Sequence, residues 1–473
     1  MKKQSGFSRI VLNSLGDIRF WIIVFFVLRF YGITDAPLEN GHNWRQSLTN
    51  MIARNFLQVD PSILYPRIDY DGNNSGIIGS EFPFFNYLIY LFYKIFGFAH
   101  WYGRLINLVV SSFGIWFFYR LLKRFFDEKL AFTASMIFLT SIWFAFSRKS
   151  MPDTFCISLV IISVFYACRY LYDNRRSALL LFFFFASLAV LCKIPALYFL
   201  SILCVPLFDS KVAFRSKVMV SIAGAMVLVL VYLWYFYWVP YLLAKYHFQL
   251  YFPKEFMEGI RELSLYVPET CERFYFSAMQ SFLAFCSFVF GLFILIRKAE
   301  RTKLLLIGIT SLFFAAFIIK TGAVFPLHNY YVVPFVPVMV FVAAHGILAI
   351  KTAWLRIAVL ALIMIEGVLN QQHDFRIKDK EYCKLKMESI AEGFSDRQDL
   401  FLVNGGQSPQ AMYFLNRRGW SMNSGDIDLS LTDSLHVLGC RYLFINMNEG
   451  TLDEEFKSKE VIYRDNDFIV YSL

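Results

Sequence analysis

Charged side chains at the ends of long apolar stretches are the first candidates for chemistry in this sequence. An ion near hydrocarbon is costly, and such residues usually serve function. Asp153 closes the segment Ser147-Arg148-Lys149-Ser150-Met151-Pro152-Asp153, Lys193 precedes Ile194-Pro195, and His328 opens His328-Asn329-Tyr330-Tyr331. A second group lies between the first two apolar runs, where Glu39, Arg45, Arg54, Asp69 and Glu81 stand out. Carboxylates of this kind can take a proton from an attacking nucleophile. Arginine, lysine and a protonated imidazole can hold an anion. Taken singly, each is as well explained as a solvated loop charge or a helix-end anchor. Asp153, Lys193 and His328 together resist that explanation, because all three fall at run ends on one side.

The elements that must position them are transmembrane helices. Of 473 residues, 57% are hydrophobic and only 17% charged, against about 25% charged in a soluble domain. Runs approaching the roughly 20 apolar residues of a crossing occur near 18–34, 104–122, 129–147, 152–171, 177–192, 194–209, 216–239, 275–296, 303–321, 327–350 and 353–370. The fold class expected is therefore a polytopic α-helical membrane protein of about 11 or more helices. The first helix reads as a retained anchor, since no small-residue cleavage site follows it. Phe84 to Phe96 is too short to cross, and its Tyr87, Tyr90, Tyr93 and Lys94 suit the bilayer interface.

Sidedness follows from basic loops. Lys2, Lys3 and Arg9 begin one set, which continues with Lys123 and Arg124, Arg175 and Arg176, Lys211 and Arg215, Arg297 and Lys298, and Lys351. This positive-inside pattern puts the N-terminus in the cytoplasm. It leaves long outer loops at about 35–103 and 240–274, and an outer tail from 371. The domains expected are thus 1–370 in the membrane and 371–473 outside it. The tail carries 12 Lys and Arg against 17 Asp and Glu, whereas the part before it carries 34 against 19. The net charge of +10 therefore reflects topology, and nothing supports nucleic-acid binding.

Within the tail, Asp399 to Val403 and Arg441 to Ile445 read as strands, Ser408 to Arg417 as a helix, and 461–471 as a hairpin turning at Asp465-Asn466-Asp467. These predict a small α/β domain. Gly405-Gly406 reads as a plain turn in preference to a phosphate cradle. The eight cysteines do not form a disulfide framework, although Cys383 and Cys440 could pair. No CxxC occurs, so a dedicated zinc site is not expected.

Five stretches in this order resemble the GT-C superfamily of membrane glycosyltransferases, in the branch of protein O-mannosyltransferases and the aminoarabinose lipid A transferase. They are Trp44-Arg45-Gln46 with Ile52-Ala53-Arg54 and Tyr65-Pro66-Arg67-Ile68-Asp69; Glu81-Phe82-Pro83-Phe84; Ser147-Arg148 with Met151-Pro152-Asp153; Lys193 with Pro195; and His328-Asn329-Tyr330-Tyr331 with Pro334 and Pro337. The resemblance covers about residues 15 to 345. It implies an enzyme that moves a sugar from a polyprenyl-phosphate donor to a glycan, lipid or protein acceptor. The reaction would occur at the outer face of a bacterial inner membrane, by an inverting displacement assisted by a carboxylate base. A divalent metal is not predicted, though first-loop carboxylates could ligate one. Many relatives carry an Asp-Glu pair where this chain has Arg45-Gln46, and often a lysine where it has Glu81. The base is then to be sought among Asp153, Glu39, Asp69 and Glu81, with Asp153 matching the second acidic motif best. Phosphate binding would fall to Arg45, Arg54, Arg148, Lys193, His328, Tyr330 and Tyr331. The competing reading is a lipid or glycan transporter without chemistry, against which stand the long outer loop, the soluble tail and the absence of a clear internal repeat.

Overall fold

The computed structural model describes residues 15–248, 253–451, 456 and 459–473. Lys2, Lys3 and Arg9, which helped orient the first helix, lie outside the described residues. The chain divides into two units: one comprises Met1–Ile33, Arg104–Phe236 and Tyr251–His373, the other Thr34–Gly103, Tyr237–Leu250 and Asp374–Leu473. The long loop expected at about 35–103 is thus grouped with the tail.

The first unit is helical. Among the described residues of the chain, five helices are long and apolar enough to cross a bilayer: Tyr102–Phe125, Pro152–Asp173, Phe214–Tyr246, Arg301–Thr321 and Asn329–Ala349. Val267–Ser277 and Phe282–Arg297, bent by 94°, make a sixth when counted as one span. This is a multi-helix membrane protein, with fewer straight spans than the eleven expected. The apolar runs are helical, but several are cut short by their own backbone. The 129–147 run stops at Ser141, whose backbone is extended, before a four-residue turn of helix. The 194–209 run passes through a 3-10 segment at Leu200–Leu203. The 275–296 run breaks at Gln280, which has φ 53, and restarts with the Ser281 hydroxyl capping the Ala284 amide. Hydropathy averages over such breaks; backbone geometry does not.

Two helices of this unit pack closely where glycines face each other. A Cβ on Gly291 would lie 2.0 Å from the Val342 carbonyl oxygen, and one on Gly346 would lie 2.1 Å from that of Ser287. The Phe282–Arg297 and Val336–Ala349 helices therefore touch backbone to backbone, the contact small residues permit in membranes.

The second unit is built on a five-stranded sheet of order β2-β1-β3-β5-β4. Its strands are β1 (Leu400–Val403), β2 (Arg418–Ser421), β3 (Cys440–Asn446), β4 (Val461–Arg464) and β5 (Phe468–Ser472). β1 pairs in parallel with β2 and β3, while β5 pairs antiparallel with β3 and β4. One sheet face packs on the Asn43–Gln58 helix, with Phe401, Val403, Phe444 and Val470 clustered with Met51, Ile52 and Phe56. The Phe84–Phe96 helix joins through Tyr90. Cys383 belongs to this cluster and Cys440 to the one on the opposite face, and both are free thiols. The sheet separates the two, so the Cys383–Cys440 bridge does not form. Burial raises the Cys440 thiol to about 12. Gly405-Gly406 is a turn, and the Gly406 amide donates to the Met422 carbonyl.

Candidate functional site

Chain geometry brings Asp153 and Lys193 together. Pro152–Asp173 is a 22-residue helix, Asn174 turns the chain in the left-handed region at φ 52, and Arg176–Cys192 runs back. At about 1.5 Å per residue, the twenty steps from Asp153 to Asp173 climb roughly 30 Å, and the seventeen from Arg176 to Lys193 return roughly 26 Å. The start of one helix must then lie beside the end of the other. Asp153 Oδ1 accordingly sits 2.8 Å from Lys193 Nζ. Pro152 begins the first helix, where its missing N–H costs nothing, and the helix's positive end favours the Asp153 carboxylate one residue on. Lys193 caps the negative end of the second helix, which Ile194-Pro195 terminates.

This pair is buried, with Asp153 3% and Lys193 5% exposed. The second carboxylate oxygen of Asp153 has no hydrogen-bond partner among the described residues. Lys193 Nζ also lies 5.1 Å from the ring centre of Tyr330 and 5.8 Å from that of Tyr331. His328 stacks on Tyr330 at 5.3 Å. A 3-10 segment, Asn329–Phe335, presents this aromatic wall, and the Tyr198 hydroxyl donates to its Pro334 carbonyl. Five of the sequence candidates therefore share one site within the first unit: a carboxylate, an ammonium, an imidazole and two phenols.

Asn107 holds the turn in front of Asp153, and sequence reasoning passed over it. Its Nδ2 donates to the carbonyls of Phe146, Lys149 and Met151, while its Oδ1 accepts from Thr154 and Ser111. A lone asparagine in an apolar run was the available signal. Arg148 works nearby, donating through Nε to the Arg29 carbonyl and through Nη2 to that of Tyr31. It thereby satisfies carbonyls beyond the Ile18–Leu28 helix. Arg29 in turn donates to the Ser147 hydroxyl.

The remaining candidates lie in the second unit. Asp69 accepts from Arg54 at 3.0 Å and from Asn55 at 2.8 Å, in a nearly dry setting. Arg54 also donates to the Tyr413 carbonyl and lies over the Tyr413 ring. Arg45 pairs with Glu81 at 2.5 Å. Glu39 is buried and accepts from Gln46, and its backbone bridges to Ile377. Asp69 and Arg54 thus neutralise one another, as do Arg45 and Glu81. Among the described residues no group of three His, Cys, Asp or Glu side chains has metal-site spacing.

The first unit also holds an apolar cavity of about 610 Å³, lined by Val164, Cys168, Leu203, Pro337 and Phe341 among others. Cys168 is fifteen residues beyond Asp153 along the same helix, or roughly 22 Å. The cavity suits hydrocarbon and lies well away from the ion pair.

Comparison with known proteins bears out the resemblance to GT-C glycosyltransferases. Residues 80–238 match the family model described as dolichyl-phosphate-mannose-protein mannosyltransferase. No protein of curated function matches the chain. The crystal structure of ArnT from Cupriavidus metallidurans bound to undecaprenyl phosphate superposes with TM-score 0.59 at 12% identity, covering 96% of this chain and 98% of that one. The same protein in its apo state gives the same score. The Archaeoglobus fulgidus oligosaccharyltransferase in its apo form matches with TM-score 0.56 at 10% identity, over 90% of this chain and 70% of its own. At such identities the likeness is one of fold.

Proposed function

We propose that this chain is a membrane glycosyltransferase that moves a sugar from a polyprenyl-phosphate donor to an acceptor, with Asp153 and Lys193 at the reaction centre. The observation that carries the reading is the buried Asp153–Lys193 pair with one carboxylate oxygen unpartnered among the described residues. A purely structural ion pair gains by satisfying both oxygens. A catalytic one keeps an acceptor position for a substrate proton.

The chemistry assigns roles by charge. An acceptor nucleophile attacks the anomeric carbon and passes its proton to Asp153 as the new bond forms. The bond from that carbon to the phosphate oxygen breaks, its electron pair leaves on the lipid phosphate, and configuration inverts. The departing phosphate gathers negative charge, which the Lys193 ammonium neutralises where little water competes. As that charge grows, Lys193 is drawn from Asp153 towards phosphate, so the carboxylate becomes a better base as it is needed. Tyr330, Tyr331 and His328 supply a wall against which lysine and sugar can rest. The match of residues 80–238 to a mannosyltransferase family, which spans both Asp153 and Lys193, supports this assignment. The basic loops of the sequence support a reaction at the extracytoplasmic face, with the tail on the same side; a bacterial inner membrane is what the family resemblance implies.

The test is incubation of the purified chain, in nanodiscs, with a polyprenyl-phospho-sugar labelled in the sugar. Release of label to acceptor or water supports transfer. In sealed liposomes, movement of intact donor across the bilayer without cleavage would replace the enzyme by a transporter.

A further inference from the structure

The second unit contains a cavity of about 340 Å³ whose lining gathers Arg67, Arg397, Arg417 and Arg418 from three separate parts of the chain. Four guanidinium groups around one small space repel each other, and the cost is tolerated where something else is gained. Their own partners do not offset it. Arg417 donates to the carbonyls of Asn416 and Ser395, Arg418 to that of Asn74, and Arg397 to the amide oxygens of Gln58 and Asn416. These acceptors are neutral. Among the described residues only Arg67 meets a carboxylate, Asp60 at 3.3 Å, while it also donates to the Ser75 carbonyl. Asp69 lines the cavity too, but Arg54 and Asn55 already hold it. Arg417 is 5% exposed, and its Nε has no partner among the described residues; the Nε of Arg67 is likewise unpartnered there. Burial, followed by the nearby Arg54 charge, pulls the Arg397 guanidinium below its ordinary range. The cavity is cationic and short of anions.

We propose that this cavity binds a phosphate ester. Guanidinium forks match phosphate oxygens in pairs, and the volume lies at the small end of ligand pockets, enough for a phosphorylated monosaccharide or a lipid headgroup. Asn55, Asn416 and Ser75 are also in the lining and can meet sugar hydroxyls. The site shares no residue with the Asp153–Lys193 pair and goes beyond the transfer reading. It is read by binding without turnover, so either claim can fail alone.

The experiment is calorimetric titration of the full chain, in an uncharged detergent, with inorganic phosphate, mannose 6-phosphate and mannose. A parallel arm uses nanodiscs of neutral lipid with and without phosphatidylinositol 4-phosphate. Saturable binding of the phosphate probes and none of mannose is expected, the soluble arm indicating a saccharide phosphate and the nanodisc arm a headgroup. Arg397→Gln and Arg418→Gln should each weaken it about tenfold, the value of one charge-assisted hydrogen bond. Arg417→Gln risks the fold, which is why the two less buried arginines carry the test, with thermal midpoints as the folding control. The proposal is overturned if no phosphate probe saturates, if mannose binds equally, or if both folded variants bind like the parent.

Discussion

Replacing Asp153 by Asn preserves size and removes both the charge and the base. In the parent, the carboxylate lies 2.8 Å from Lys193 Nζ with both side chains almost fully buried. The substitution leaves a buried ammonium without its counter-charge, at a cost of about 3–5 kcal/mol. Losing a general base lowers turnover by roughly 10²–10⁴, or about 3–5 kcal/mol of barrier. The two effects are similar in size, so a single variant does not separate them. Asp153→Asn combined with Lys193→Met does, because it removes both charges and recovers most of the lost stability. It still lacks the base and the cation facing the leaving phosphate. Thermal midpoints in detergent and single-turnover transfer of labelled donor read the two quantities independently. The expected result is a double variant that is stable and inactive. Recovery of transfer along with stability, or a parental rate in Asp153→Asn alone, would refute the catalytic assignment.

Three further outcomes follow from the contacts. Arg54→Ala should lower stability by about 3–5 kcal/mol, since it strands the buried Asp69 carboxylate and frees the Tyr413 carbonyl; a chemical denaturation curve measures the loss. Asn107→Ala withdraws the two amide protons that the carbonyls of Phe146, Lys149 and Met151 share in the turn before Asp153, at about 1 kcal/mol per proton. It should reduce transfer more than thermal stability, and equal loss of both would contradict a positioning role. The Glu262 carboxyl is held below its usual range first by the Ala323 amide and then by Lys254. That stabilisation is present above the ordinary glutamate value of about 4.3 and is lost as pH falls through the lower folded value. A thermal-midpoint series should put the parent above Glu262→Gln at neutral pH and merge the two in acid; a gap independent of pH would contradict it.

What the sequence discloses, and what it hides, has a physical pattern. The grouping of Asp153, Lys193 and His328 was legible because all three fall at ends of apolar runs. Their direct contact was not, since it depends on two helix lengths and a left-handed Asn174. The strands at 400–403, 440–446 and 461–472 announced themselves by β-branched and aromatic residues. β2 did not: Arg418-Gly419-Trp420-Ser421 lacks that pattern, and Gly419 is required because a Cβ there would lie 1.8 Å from the Phe401 carbonyl oxygen. Apolar runs marked the long membrane helices but not the polar Asn43–Gln58 and Phe256–Ser264 helices, nor the breaks at Ser141 and Gln280, which are properties of single backbone angles. The pairing of Arg54 with Asp69 and the arginine-lined cavity join residues that only the folded second unit brings together.

A structure of this chain with a polyprenyl phosphate bound tests the central claim most directly. Phosphate oxygens are expected within hydrogen-bonding distance of Lys193 Nζ, with the Asp153 carboxylate facing the carbon that a donor sugar would present. A phosphate seated away from Lys193, with the Asp153–Lys193 pair closed and untouched, would contradict it.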